Sequence, residues 1–490
     1  MSACAVVHVT SLFGGGVDRH VRDIVSSVPR SQVIWHVEPG IDVIEEPGRG
    51  PCRGLDSRRF EDDPEALARW LESGGVGLVH LHSTSRAARR RATWACERLG
   101  VRLVVTLHDV LFLRRDAFDR PDAAPDPDWL AETSMLLRSA CAVLAPSRFI
   151  ADLAEHHVDG VAVDVVPNGS RRAAPGVHPA ARADFVRHRP ASVVAILGAI
   201  GPHKGSDLIE ELPALLEGTA IGVVVIGYLD RQLFPGWRVP GRLYVHGAYA
   251  DEEAPGLLAA YGAELALFPN RAPESFSYAL SDAWAAGVPA LAAPLGALAE
   301  RIERHGGGLL LPASFGAREV AEEMKRLLGP SGAAELTRVR SQLSRSDPQR
   351  IPELDAMARS LDALYARFGI DPASPRAADP AALERLVATN LDGALFRQEL
   401  ARLADEFAQT RAALEDTRER AAKFELESRE WIAKLERDVA ELSAQLSREV
   451  EERRRLGEEN AQLTDHRDAL ELLPTLVRKL LLKKIRNARS

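Results

Sequence analysis

Residues 192–205 read Ser-Val-Val-Ala-Ile-Leu-Gly-Ala-Ile-Gly-Pro-His-Lys-Gly, an apolar run that ends in glycines and a lysine. A short apolar run followed by glycine predicts a buried strand that turns sharply into a loop. Small residues let a backbone approach a phosphate closely, and Lys204 supplies a compensating positive charge. We therefore interpret the stretch from Gly198 to Gly205 as a phosphate-binding loop at the carboxyl end of a strand.

The same alternation of short apolar runs and helical patterns recurs on both sides of this stretch. The runs before it are residues 5–9, 33–37, 78–81, 103–107, 142–145 and 163–166, and those after it are 221–226, 243–246, 265–268 and 290–293. Strands that alternate with helices predict an α/β protein with parallel, helix-covered sheets. Two series of similar size predict two Rossmann-like domains that face a cleft, where ligands bind beyond the carboxyl ends of strands.

We place the boundaries of these parts from changes in composition. The first domain is predicted over residues 1–180 and the second over 190–345, with a polar linker near the Pro167-Asn168-Gly169 turn. Residues 346–372 are predicted to form a helix that packs back on the body.

Composition excludes several classes of protein. The 490 residues are 46% hydrophobic and 27% charged with a net charge of −8, which fits a folded protein and gives no general footprint for nucleic acid. The start lacks the pattern of a signal peptide, and no apolar run approaches the roughly 20 residues that span a bilayer. The cysteines, which are few and widely spaced, fit a reducing cytoplasm, so we expect a cytoplasmic protein. Four widely spaced cysteines and no sequence cluster of histidines predict neither a disulfide framework nor a metal site.

A second motif supplies carboxylates. Residues 268–290 read FPNRAPESFSYALSDAWAAGVPA, in which Glu274 follows a predicted strand and Asp282 comes eight residues later. We expect a helix that holds both carboxylates on one face and offers free backbone N–H groups at residues 275–277 to an anion. A sugar joined through a diphosphate to a ribose needs both kinds of partner. The alternative is that Glu274 only favours the first helical turn and Asp282 is an exposed helix residue.

Together these motifs resemble those of the family-4 retaining glycosyltransferases, hexosyltransferase-like enzymes with the two-domain GT-B fold, over roughly residues 5–370. The spacing of Glu274 and Asp282 before Gly287-Val-Pro289 is similar to that family's donor-site signature. The resemblance implies that Glu274 contacts hydroxyls of the donor sugar, Asp282 contacts the ribose, and Lys204 binds the diphosphate.

Two loops of the first domain extend the resemblance. Gly15-Gly16 resembles the glycine loop beside the acceptor and phosphates, and Leu107-His108-Asp109 resembles the strand end near the reacting sugar carbon. The resemblance implies catalytic roles for Glu274, His108 and Lys204, retention of anomeric configuration, and no metal or other cofactor. The donor-binding residues it implies are Gly15, Gly16, Gly198, Lys204, Gly205, Glu274, Ser275, Phe276, Ser277 and Asp282.

Three departures separate this chain from the family pattern. Ala199 stands where an arginine is usual, so one phosphate charge must come from Arg271 or elsewhere; Asp282 replaces a glutamate; Ser275 and Ser277 replace glycines. They motivate an alternative hypothesis, a non-catalytic nucleotide-sugar-binding scaffold that organises polysaccharide enzymes. An NAD-dependent enzyme is disfavoured, because the first glycine loop lacks the GxGxxG spacing.

Residues 380–471 predict a long coiled coil. Proline and glycine nearly vanish, and apolar residues recur at spacings of four and three in two registers, residues 396–435 and 432–470, with a slip near Trp431. The pattern favours self-association, with Asn460 in the second seam as a determinant of register. A single solvated helix with incidental leucines is the alternative.

Residues 472–490 are predicted to form a basic amphipathic tail. Six lysines and arginines follow Glu471 with no further acid, and leucines lie between them. Such a helix can lie on an anionic membrane surface, although a basic helix end or an RNA-sticky tail gives the same pattern. With the resemblance, the tail leads us to expect a glycan or lipid-linked acceptor and a place in bacterial surface-polysaccharide biosynthesis, at the inner face of the cytoplasmic membrane.

Overall fold

The computed structural model describes residues 5–11, 15–38, 41–46, 50–56, 68, 71–72, 75–83, 85–121, 123–171, 179–230, 232, 234–344, 347–370, 434–435, 437–472 and 474–487. The chain divides into two units, Met1–Gly393 and Ala394–Ser490.

The first sheet lies in the amino-terminal part of the first unit. Its strands are β1 (Ala5–Thr10), β2 (Gln32–Glu38), β3 (Ile41–Glu46), β4 (Gly50–Asp56), β5 (Val76–Leu81), β6 (Arg102–Thr106), β7 (Ala142–Ala145) and β8 (Val163–Val165). They are arranged in the order β4-β3-β2-β1-β5-β6-β7-β8, and the pairs formed by β3 are antiparallel while the others are parallel. The helices between them are α1 (Gly16–Ser27), α2 (Arg86–Leu99), α3 (Pro127–Ser139) and α4 (Arg148–His157).

The second sheet follows with the same alternation. Its strands are β9 (Ser192–Ile200), β10 (Ile221–Leu229), β11 (Gly236–Val239), β12 (Leu243–Gly247), β13 (Ala263–Phe268), β14 (Ala290–Ala292) and β15 (Gly308–Leu310), in the order β11-β12-β10-β9-β13-β14-β15. Strand β11 runs antiparallel to β12, and the other pairs are parallel. The helices are α5 (Ala183–Arg187), α6 (Ser206–Leu215), α7 (Ala254–Tyr261), α8 (Tyr278–Ala285), α9 (Gly296–His305), α10 (Ala317–Leu328), α11 (Ala333–Leu343) and α12 (Leu354–Arg367).

Strand β9 shows why its sequence is almost continuously apolar. Val193, Ala195 and Leu197 belong to the core on one face of the sheet. Val194 and Ile196 belong to the core on the other face. A parallel sheet covered by helices on both sides buries both faces of its central strands, so polar residues have no place in the alternation. The predicted α/β class is confirmed.

Helix α12 returns from the second sheet to the first. Leu361 and Tyr365 are buried in one apolar cluster with Val6 and Leu78 of the first sheet and Ile24 of α1. This helix lies within residues 346–372, where the sequence predicted a helix that packs back on the body. Its packing ties the two sheet-containing parts of the first unit together through buried apolar surface.

The predicted strands of both series coincide with strands of the sheets, whereas four strands escaped prediction. Strands β3, β4, β11 and β15 lie at or near sheet edges. Strand β4, with the sequence GPCRGLD, contains two glycines and a proline, residue types that are depleted in strands. Its pairing with β3 decides its conformation, and local composition does not report that pairing.

The second unit contains a helix over 437–471, here α13, and α14 (Thr475–Asn487). Apolar side chains of the second predicted seam are exposed, among them Val439, Leu442, Leu446, Leu456 and Leu463. Residues 396–433 of the first predicted seam, which runs over residues 396–435, lie outside the described residues, so the coiled coil stays a prediction. Within the described residues, no helix combines the length and the apolar character that crossing a membrane requires.

Candidate active site

A cleft of about 540 Å³ lies between the loops that follow strands of the two sheets. Most of the residues predicted for the site line it, namely Gly15, Gly16, His108, Gly198, Lys204, Glu274, Ser275, Phe276, Ser277 and Asp282. Gly205 is absent from the lining. The carboxyl ends of parallel strands meet at one edge of each sheet, which explains how residues far apart in sequence come together here.

Gly205 shapes the loop that presents Lys204. Its φ of +80° lies in the left-handed region, and a Cβ atom there would fall 2.4 Å from the carbonyl oxygen of Pro269. Only glycine fits such a close approach. Lys204 ends the short helical turn Pro202–Lys204, just before α6, and its side chain is directed to the loop after β13.

Lys204 and Glu274 form the charged centre of the donor-side wall. The Nζ atom of Lys204 lies 3.2 Å from Oε1 of Glu274, and the Asn270 amide donates a hydrogen bond to the same oxygen at 3.2 Å. Burial alone would raise the pKa of Glu274, but Lys204 and Asn270 outweigh it, and the pKa lies below its usual value. Glu274 is therefore a carboxylate at neutral pH, able to accept hydrogen bonds from hydroxyl groups.

The other carboxylate of the motif, Asp282, is paired across the cleft. Nη1 of Arg19, on α1, donates a hydrogen bond to Oδ2 of Asp282 at 3.2 Å, and Nε of Arg19 lies 3.7 Å from Oδ2 of Asp251. The guanidinium also stacks over the ring of Tyr278 at 4.2 Å from its centroid. Burial raises the pKa of Asp282 to about 6, although Arg19 acts in the opposite direction.

The helix of the carboxylate motif begins later than the sequence predicted. Helix α8 starts at Tyr278, so Glu274 precedes it and Asp282 lies about one turn inside it; the expectation that both lie on one helix face is wrong. Ser277 is the N-cap residue, with its hydroxyl accepting from the Leu280 N–H. Its φ of +67° is the one positive value among the described residues other than glycine. A positive φ favours glycine, but the capping hydrogen bond of the Ser277 hydroxyl favours serine at this position.

A buried arginine supports the loop from Glu274 to Ser277. Arg301 on α9 donates hydrogen bonds to the carbonyl oxygens of Phe276 and Ser277, both at 2.9 Å, and to Oγ of Ser281 at 2.8 Å. Its guanidinium also lies 4.2 Å from the centroid of the Phe276 ring. Burial lowers the pKa of Arg301 to about 9, so the side chain stays charged at neutral pH and fixes the loop.

His108 occupies the opposite wall. It follows β6, and its backbone carbonyl accepts a hydrogen bond from the hydroxyl of Ser275, which joins the two walls. A second contact between the two sheet-containing parts lies on α9, where the carboxylate of Glu300 accepts from the backbone N–H groups of Arg148 and Phe149, at 3.2 and 2.7 Å. With the pair formed by Arg19 and Asp282, these contacts join the two parts.

Five buried histidines, His108 among them, converge in one cluster, although their sequence spacing does not show it. They are His8 on β1, His20 on α1, His80 on β5, His82 just after β5, and His108. Burial lowers the pKa of each histidine, to about 4 for His8 and about 3 for His108, and well below the usual value for the other three. The cluster is therefore uncharged at neutral pH.

Two trios in this cluster bring ligand-type atoms close together. The atoms of His8, His80 and His82 lie within 4.8 Å of one another, as do those of His20, His82 and His108. Hydrogen bonds join His8 to His82 and His82 to His108, and His80 bonds to Tyr365 and Thr106. Imidazole nitrogens of this kind can hold Zn²⁺, but an ion would have to replace these hydrogen bonds. The absence of a metal site stays a prediction.

Two arginines that could supply the missing phosphate charge differ in their position relative to the cleft. Arg271 is exposed, lies 3.4 Å from Asp207, and does not line the cleft, whereas Arg19 is largely buried and does. Arg19 was not among the residues predicted for the site. Its position three residues beyond Gly16 on the first helix was an available signal, because residues i and i+3 share a helix face.

Two sequence families match the two sheet-containing parts. Residues 14–170 match the family described as Glycosyltransferase Family 4, and residues 191–329 match Glycosyl transferases group 1, together more than half of the chain. D-inositol 3-phosphate glycosyltransferase of Nocardia farcinica is 27% identical over 332 residues, which covers 60% of this chain and 69% of that protein. The protein of the same name from Mycobacteroides abscessus is 28% identical over 322 residues, or 58% and 67%.

Solved structures share the fold. HepE of Anabaena, solved with UDP and glucose, has a TM-score of 0.56 at 16% identity, over 74% of this chain and 100% of that chain. Sucrose-phosphate synthase from Thermosynechococcus elongatus has a TM-score of 0.56 at 16% identity, over 75% and 99%. Similarity at this identity shows the fold alone, and it confirms the predicted pair of facing Rossmann-like domains.

Proposed function

Because the chain belongs to family 4 of the GT-B glycosyltransferases, we propose that it transfers a sugar from a nucleotide diphosphate donor, with retention, to a glycan or lipid-linked acceptor. The observation that carries this proposal is the placement of Lys204 and Glu274 in contact on one wall of a cleft and His108 on the other. A carboxylate that can accept hydrogen bonds from sugar hydroxyls and a cation that can bind a phosphate therefore face the same cleft.

The charges of the cleft suit a diphosphate leaving group. Transfer breaks the bond between the anomeric carbon and the diphosphate oxygen, forms a bond from the acceptor oxygen to that carbon, and leaves the hydroxyl proton for the departing phosphate. Lys204 and Arg19 are the cations that line the cleft among the described residues, and they stabilise the negative charge that grows on the diphosphate. Arg19 takes the place of the arginine missing at Ala199. No metal is proposed for this step.

The carboxylates then serve hydroxyl groups. Glu274, held as an anion by Lys204, accepts hydrogen bonds from the transferred sugar. Asp282, at the first turn of α8, accepts hydrogen bonds from the ribose and keeps Arg19 oriented. The named relatives act on inositol phosphate, and HepE was solved with UDP and glucose, which supports a nucleotide-sugar donor and a hydroxylated acceptor here.

The second unit suggests where the acceptor is. Helix α14 carries Arg478, Lys479, Lys483, Lys484 and Arg486, with exposed apolar side chains between them. Such a surface binds anionic lipid through both charge and apolar contact. We propose that the protein works as a peripheral enzyme at the cytoplasmic membrane, associates with itself through the coiled coil, and extends lipid-linked glycans of a bacterial surface polysaccharide.

The second candidate is a scaffold that binds a nucleotide-sugar without turnover. Ala199 and the strained Ser277 favour it, because they alter the phosphate and donor loops. Binding and hydrolysis across UDP-, GDP-, ADP- and dTDP-sugars separate the two functions. Turnover of a donor supports the transferase; tight binding with no turnover, with or without lipid-linked acceptors, supports the scaffold; no binding contradicts both.

A further inference from the structure

A chain of hydrogen bonds runs from the core of the first sheet to the cleft. Nε2 of His8 lies 2.9 Å from Oε1 of Gln32, and Nδ1 of His8 lies 2.9 Å from Nε2 of His82. Nδ1 of His82 lies 3.1 Å from Nε2 of His108. His108 is the member of this chain that lines the cleft.

The amide of Gln32 fixes which atoms donate and which accept in this series of hydrogen bonds. Its Nε2 atom lies 2.9 Å from the carbonyl oxygen of Val28, and 3.4 and 3.5 Å from those of Val25 and Ile24. Ile24 and Val25 lie in the last turn of α1 and Val28 is its C-cap residue, and a carbonyl oxygen has two lone pairs, so these oxygens can accept from the amide. The reversed amide would place its oxygen against three carbonyl oxygens, so Oε1 must face His8 as an acceptor.

The donor and acceptor roles of the three histidines then follow in turn, because a neutral imidazole has one donor and one acceptor nitrogen. His8 must donate from Nε2 to Gln32, so its Nδ1 accepts from the Nε2–H of His82. Nδ1 of His82 therefore accepts from the Nε2–H of His108. The remaining ring nitrogen of His108, Nδ1, therefore carries no proton, and no hydrogen bond to it is found among the described residues.

We infer that Gln32, His8 and His82 are positioning residues that hold His108 protonated at Nε2, so that its Nδ1 accepts a hydrogen bond from a hydroxyl of the sugar in the cleft. The inference rests on the proposed function for the identity of that hydroxyl, but not for the tautomer. It makes His108 an acceptor that recognises a hydroxyl group and disfavours a sugar that lacks it, since the Nδ1 lone pair at the cleft would then lose its partner.

A matched pair of variants at His8 tests this series of hydrogen bonds at a residue that does not line the cleft. His8→Asn can place a carbonyl oxygen near the position of Nδ1 and keep an acceptor for His82, whereas His8→Leu removes it. Gln32→Met removes the terminal acceptor and serves as a second variant if His8→Leu does not fold. His246→Gln is the control, because His246 is a buried histidine that bonds to Tyr261, away from the cleft.

Nitrogen-15 NMR of the full chain labelled at histidine, with His108→Gln to assign the signals, reads the tautomer without any donor. We expect an unprotonated Nδ1 of His108 in the wild type and in His8→Asn, and a mixture of tautomers in His8→Leu and Gln32→Met. With a donor that turns over, His8→Leu should lower kcat/KM about tenfold, and His8→Asn and His246→Gln should stay within about twofold.

A proton on Nδ1 of His108 in the wild type would overturn the inference. So would an unchanged tautomer in both His8→Leu and Gln32→Met. If the wild type turned over no nucleotide-sugar while the tautomer followed the expected pattern, the proposed function would fail and the positioning chain would stand.

Discussion

Nη1 of Arg19 donates a hydrogen bond to Oδ2 of Asp282 over 3.2 Å, which links helix α1 of the first sheet to helix α8 of the second. Both side chains are largely buried in the cleft wall. A pair in this position joins the two walls, and it places a guanidinium in the lining of the cleft where we propose that the donor diphosphate binds. The same contact therefore joins the two walls of the cleft and holds a positive charge in its lining.

We expect Arg19→Met to raise the Kd for the donor about tenfold to a hundredfold, because a charge-assisted contact to the diphosphate is lost. Arg271→Met is the matched control, since Arg271 is exposed and lies outside the cleft. Its donor Kd should change less than twofold. Calorimetric titration of the donor measures both, and equal losses in the two variants would contradict the role given to Arg19.

Donor binding should weaken as the pH falls through about 6. Burial raises the pKa of Asp282 to about 6, so the carboxylate, which we propose accepts hydrogen bonds from the ribose, is present above that pH and is protonated below it. Initial rates measured from pH 5 to pH 8 should show a donor KM that increases toward acid. Asp282→Asn should have a higher KM that is flat across this range, and a KM in this variant that keeps the wild-type pH dependence would refute the assignment.

The histidine cluster should make the fold sensitive to acid. Its pKa values lie below the usual 6.5, at about 4 for His8 and about 3 for His108. Below about pH 6.5 the unfolded chain therefore binds more protons than the folded chain. Stability is therefore present above about pH 6.5 and is lost as the pH falls toward 4, at up to roughly 1.4 kcal/mol per pH unit for each histidine.

Urea unfolding at pH 7, 6 and 5 measures this loss. His8→Asn should unfold at a lower urea concentration at pH 7 but lose less stability between pH 7 and pH 5, because one proton-linked site is gone. A variant whose midpoint falls with pH as steeply as that of the wild type would show that His8 is not part of the effect.

The basic tail should carry the protein to anionic lipid. We expect the full chain to float with vesicles that contain phosphatidylglycerol and not with neutral phosphatidylcholine vesicles, because each basic residue near the surface adds roughly 1 kcal/mol. Replacing Lys479, Lys483 and Lys484 by glutamine should reduce flotation at least tenfold. Replacing Arg453, Arg454 and Arg455 of α13 by glutamine is the control, and equal flotation of the two triple variants would remove the tail from the account.

Features that depend on local sequence patterns could be predicted from the sequence, whereas features that depend on contacts between distant residues could not. Strands such as β9 were predictable because burial on both faces leaves a continuous apolar run. The two loops that carry Lys204 and Glu274 were predictable because each follows an apolar strand and has its glycines or carboxylates at short spacing. The pairing of β4 with β3 was not, because it opposes the local propensity of a Gly-Pro segment.

Residues that meet only after folding were the ones missed. Arg19 and Asp282 are far apart in sequence, and no local pattern pairs them. The histidines escaped for the same reason: His8, His80 and His82 look like isolated residues in apolar strands, yet the register of β1 beside β5 brings His8 level with His80. Conversely, the position of Asp282 on α8 was misjudged because Ser277, not Glu274, precedes the first helical residue.

The product formed from a single donor tests the central claim most directly. The donor that turns over in the nucleotide-sugar panel is incubated with its acceptor, or with water, and proton NMR records the anomeric configuration of the first product. We predict the configuration of the donor in the wild type, and rates at least a hundredfold lower in Lys204→Met and Glu274→Gln, with Arg271→Met unaffected. An inverted product, or full turnover in Lys204→Met and Glu274→Gln, would contradict the proposal that this cleft is the site of retaining transfer.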